Sequence, residues 1–118
     1  MFNKIANNES QMQNINLKKE SVIVNVKLWN NKEVIIEFKD YLGVMDKNSI
    51  GYEIGDIITS RNSTFKEAIV QNIIDGGGDE SELNDYNSIK IYDAWNEMII
   101  LEVIAKYIMV YEETDCVF

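Results

Sequence analysis

SVIVNVKLWNNKEVIIEF, residues 21–38, alternates apolar and polar side chains on both sides of an asparagine pair. Val22, Val24, Val26 and Leu28 are interleaved with Ile23, Asn25 and Lys27, the period-two pattern of a half-buried strand. Asn30-Asn31 tolerates the positive φ of a tight turn, and Glu33 to Phe38 then returns along the first run. The segment predicts an antiparallel hairpin and makes a sheet the organising element.

Downstream the pattern loosens. Tyr41 to Met45 reads as a short strand, Asp46 to Ser49 as a turn, and Ile54 to Ser60 as a further strand. A helix over 64–75 follows, because Thr64 and Glu67 stand at capping-box spacing and Phe65, Ala68, Ile69 and Ile73 form one stripe. Gly76 is placed to supply a left-handed stop. Gly76-Gly77-Gly78 and the acidic run to Asp85 read as a mobile loop, since glycines in succession carry the largest backbone entropy. The last third predicts a meander: Ser88 to Asp93, a turn at Ala94-Trp95-Asn96, Met98 to Ala105, then Lys106 to Glu112. A buried helix over 97–111 is the competing reading. Upstream, Phe2, Ile5 and Met12 give only faint helical spacing, so residues 1–20 read as a polar leader, a frayed helix or a disordered arm. Together these predict an α+β fold, an antiparallel β-sheet of about five or six strands with one helix packed on a face. The domain covers 21–112 and a tail covers 113–118.

The totals narrow the function classes. A chain of 118 residues with 46% apolar composition suits one domain with its own core. The net charge is −9, and residues 61–118 hold four basic against twelve acidic side chains. Nucleic acid and anionic membranes require the opposite sign, so neither is expected as a partner; a basic protein surface is. The longest apolar run, Met98 to Val110, is shorter than the roughly 18 residues a membrane span requires, and it contains Glu102 and Lys106. It reads as a central strand covered by the helix or by a second protomer, which leaves homodimerisation open. Residues 1–20 lack the apolar core of a signal peptide, and a single cysteine forms no internal disulfide, so a cytoplasmic location is expected.

Histidine is absent, which removes the usual general base, triad partner and metal ligand. Cys116 lies among Glu112, Glu113 and Asp115, which disfavour a thiolate. Glu53 with Asp56, or Glu97 with Glu102, are imaginable acid–base pairs, but no spacing selects them. The glycine loop follows a helix instead of opening one and is ringed by carboxylates, unlike a phosphate cradle. Read as an EF-hand from Asp75, it places Glu80 where glycine belongs and Tyr86 where glutamate belongs. No catalytic residue, cofactor or metal is therefore expected. Trp95, in a turn that needs no indole, reads either as an interface anchor or as folding back on the helix or on Tyr92, whereas Trp29 reads as packing over a strand end.

Phe38-Lys39-Asp40, Tyr52-Glu53-Ile54-Gly55-Asp56-Ile57 and Leu101-Glu102-Val103-Ile104-Ala105 resemble segments of a family of small bacterial β-rich proteins. Some of these serve as immunity proteins of polymorphic or contact-dependent toxin systems. The resemblance implies a protein that binds and neutralises a cognate toxin, such as a nuclease with a basic cleft, through an acidic surface. Asp79, Glu80, Glu82, Asp85 and Trp95 are the expected contacts. The alternatives are a regulatory or other non-catalytic cytosolic domain and, ranked last, a small carboxylate-dependent enzyme.

Overall fold

A computed structural model describes residues 10–112 apart from Asn30, and for Glu82 the backbone alone. Its elements are β1 (Gln11–Leu17), β2 (Ser21–Lys27), β3 (Glu33–Asp46), β4 (Ile54–Ser60), α1 (Thr64–Asp75), β5 (Asn87–Asp93) and β6 (Ile99–Glu112). The strands form one six-stranded sheet in the order β1-β2-β3-β6-β5-β4, antiparallel throughout. The α+β class and the helix position are as the sequence predicts. Residues 1–9 and the tail at 113–118, Cys116 included, lie outside the described residues.

The hairpin of residues 21–38 pairs Val22 with Phe38, Val24 with Ile36 and Val26 with Val34, and all six side chains are buried. Asn31 takes the positive φ the turn requires, 67°. The leader reading fails over β1. Met12 and Ile15 both reach the core, opposite Val26 and Val24, and a bulge between Met12 and Asn14 separates them by three positions. That extra residue turns a period of two into an i, i+3 spacing, which mimics a weak helix.

Two further expectations are corrected. Tyr41 to Met45 is no separate strand, and 98–112 is neither two strands nor a helix: β3 and β6 each run unbroken for 14 residues. Their inward positions step 34, 36, 38, then 41 and 44 on β3, and 101, 103, 105, then 108 and 110 on β6. The 38–41 and 105–108 steps lie opposite one another, where Asp40 has φ 53°, and the register slips just beyond them, between Tyr41 and Gly43. A bulge of this kind re-aims the pleat without ending the pairing.

The long strands let the sheet curl until its edges touch. Met12 N–H donates to Tyr52 O (2.9 Å), Gly51 N–H to Met12 O (2.8 Å) and Ile54 N–H to Ser10 O (3.0 Å). Gln11 and Glu53 form a bridge between the start of β1 and the segment entering β4. Inside the curl lies the apolar core. Outside it, α1 packs on β3 where Phe65 and Ile69 press on Gly43; a Cβ at that glycine would come within 2.5 Å of Ile69 Cδ1. Residues 100–105 of β6 are buried on both faces, and Glu102 on the outer face bonds Ser63 at the helix start.

The helix ends differ by one residue from expectation. Ser63, not Thr64, is the N-cap: its backbone is extended and its hydroxyl oxygen accepts from Lys66 N–H at 3.0 Å. Thr64 is already helical, so the Thr64/Glu67 capping box does not form. Gly76 has φ −86°, and the left-handed residue is Gly77, φ 94°. Ala68 faces solvent, while Lys66 is the buried side chain of the helix.

Candidate interaction surface

The corner where the sheet edges meet gathers three turns. The β2–β3 turn brings Trp29, the segment before β4 brings Glu53, and the β5–β6 turn brings Trp95. Asp93 builds the last of these. Its carboxylate accepts from Trp95 N–H (2.9 Å), Asn96 N–H (3.2 Å) and Asn96 Nδ2 (2.9 Å), and Asp93 N–H closes the hairpin on Met98 O (2.8 Å). The Trp95 N–H bond, aided by Asn96 and opposed by desolvation, holds the Asp93 carboxyl below the usual carboxylate range. Glu97 then turns the chain with φ 56°.

This frame leaves both tryptophans outward, Trp29 70% and Trp95 73% exposed. Trp29 therefore does not pack over the strand end as expected. Trp95 Nε1–H donates to Glu53 Oε2 at 3.0 Å, and Glu53 lines, with Trp29, Gln11, Leu28 and Lys27, an open cleft of about 470 Å³. Glu53 is held in turn by its backbone, whose carbonyl accepts from Ala94 N–H at 2.9 Å. Beside it, Tyr52, Tyr92 and Met98 line a second cleft, with Lys47 and Glu97 at its charged positions. Local sequence singles out Trp95 but not Glu53 as its partner, nor Trp29 as the residue that shares a cleft with Glu53. The signal existed only in the edge-to-edge pairing, which no local pattern encodes.

The acidic loop lies elsewhere. Asp79 caps a 3-10 turn over Glu80–Leu83, its side chain accepting from Ser81 N–H at 3.0 Å, and that bond lowers its pKa. Leu83 is buried and anchors the segment against α1. Asp79, Glu80 and Asp85 are exposed. Trp95 is at the far end of β5, a seven-residue strand, which spans about 20 Å. The structure therefore groups the acidic residues with one another and separates them from Trp95.

The imagined acid–base pairs are also apart in role. Glu97 is in the exposed turn, whereas Glu102 is 2% exposed beneath the helix start. Glu102 Oε2 accepts from Ser63 Oγ (2.6 Å) and Ser88 Oγ (2.7 Å), tying the α1 cap to β6 and β5. A buried carboxyl group with such partners holds its elements in place. Among the described residues no cluster of three or more Asp, Glu or Cys is arranged to hold a metal ion, and no helix is long and apolar enough to cross a membrane.

No family model matches the chain, and neither a curated protein nor a solved structure matches it.

Proposed function

We propose that this chain is a protein-binding module whose contact surface is the corner of Trp29, Glu53 and Trp95. We further propose that it acts as an immunity protein, holding a cognate bacterial toxin inactive by its basic substrate surface. The observation that carries the reading is the exposure of both tryptophans of the chain around one carboxylate. Two large indoles left in water cost solvation free energy without serving the core, and such side chains dominate interface centres. The net charge of −9 supports a basic partner, because complementary fields speed encounter and reject wrong partners. Asp79, Glu80, Glu82 and Asp85, away from the corner, are assigned to steering: they favour approach of a cationic surface without forming the centre of the contact.

Co-expression with the C-terminal domain encoded by a neighbouring toxin gene tests the reading. Wild-type protein should restore growth and co-purify with that domain. Trp29→Ala with Trp95→Ala should weaken the complex about 100-fold or more, as for paired interface anchors, and leave the unfolding midpoint unchanged. Full rescue by the double variant would show that the corner is not the contact. Absence of both rescue and complex with the wild type would refute the immunity role. Changing Asp79, Glu80, Glu82 and Asp85 to Ser should slow association and reduce its salt dependence, with little change in dissociation.

A further inference from the structure

We infer that the corner receives an arginine side chain of the partner, its guanidinium seated on Glu53 beside the indole of Trp29. The inference rests on the reading of this corner as the contact surface and names the chemistry it recognises. Glu53 Oε2 is engaged by Trp95 Nε1–H, which fixes the carboxylate without neutralising it. Among the described residues no donor is bonded to Oε1, and Glu53 lines the cleft of about 470 Å³. A fixed anion that shares a cleft with an exposed indole is complementary to a planar cation. The carboxylate supplies the charge-assisted acceptor, and the Trp29 indole that lines the same cleft can attract the cation through its quadrupole.

Arginine fits this site better than lysine. A guanidinium is weakly hydrated and stacks flat on an indole, whereas an ammonium in so open a cleft retains its water. Lys27 lines the same cleft and is exposed, so its charge opposes any cation there. That repulsion is felt least by the delocalised charge of arginine, held by an aromatic face as well as by one anion. A neutral isostere of arginine keeps the shape and loses both attractions.

Titration of the full chain with N-acetyl-arginine amide, followed by the indole N–H resonances of Trp29 and Trp95, tests this directly. Both resonances should shift and saturate, while the citrulline analogue should bind at least about tenfold more weakly and the lysine analogue several-fold more weakly. Glu53→Gln should weaken arginine binding about tenfold or more, and its unfolding midpoint controls for folding, since the Ala94–Glu53 backbone bond is untouched. Equal responses to arginine and citrulline, or to arginine and lysine, would overturn the inference, as would wild-type affinity in Glu53→Gln. The two readings fail separately. If the tryptophan double variant loses the partner but Glu53→Gln keeps it at wild-type affinity, the contact surface stands and the arginine site falls. If the double variant keeps the partner, the contact surface falls, and the arginine site falls with it as a partner contact.

Discussion

Lys66 is 7% exposed, a lysine on the side of α1 that the periodicity of the helix turns inward. Its Nζ donates to the carbonyls of Arg61 and Tyr86, each at 2.7 Å, so it joins the entry to the helix with the entry to β5. Burial, and secondly the Arg61 charge, lower its pKa below the ordinary 10.5. The sign of the pH effect follows. Between the folded pKa and 10.5 the unfolded chain binds more protons than the native one, so stability rises with pH in that window. The stability of the wild type relative to Lys66→Met should therefore increase as pH is raised through the alkaline range and level off above 10.5. Urea midpoints of the two proteins at several pH values measure it; a constant or falling difference contradicts the burial account. Lys66 is an internal tie only through its partner carbonyls, which no local pattern of the sequence encodes.

Elements meet at two glycines for different reasons. At Gly43 the strand makes room for α1, and the atom a Cβ would meet first is the end of a side chain, Ile69 Cδ1 at 2.5 Å. At Gly55, in the bulge opening β4, a Cβ would meet backbone: Ala94 Cα at 2.8 Å and Asp93 O at 3.0 Å. A side-chain tip rotates away, but a backbone held in a hydrogen-bonded turn does not. Gly55→Ala should accordingly destabilise by about 2–3 kcal/mol and Gly43→Ala by about 1 kcal/mol, read from thermal or urea unfolding. Because Ala94 precedes Trp95, the Gly55 variant should also disturb the Trp95 indole resonance. The order of the two effects is the informative result, and its reversal would mean that the helix is the more rigid neighbour. Strand β4 was legible from its β-branched run, but the need for glycine at its start was not, since it depends on a turn about forty residues away.

For the molecule as a whole, closure of the curl depends on β1. Met12 is fully buried, and its backbone bonds both Tyr52 and Gly51 at the joined edges. Met12→Ala should lower stability by about 2–5 kcal/mol, the range for emptying a core site. A dispensable leader would show no change in the unfolding midpoint, so the experiment separates strand from arm. The same closure sets Trp29, Glu53 and Trp95 side by side although 66 positions separate the first from the last. The sequence by itself determined the central hairpin, the helix over 64–75, the acidic field and the absence of histidine, because each is carried by local periodicity or composition. The tertiary structure decided the membership of β1, the continuity of β3 and β6, and the make-up of the corner. Bulges at Met12/Asn14 and near Asp40 shift the pleat and hide strands from a period-two reading. Edge pairing, finally, is a property of the curled sheet, made by backbone groups whose chemistry every residue shares.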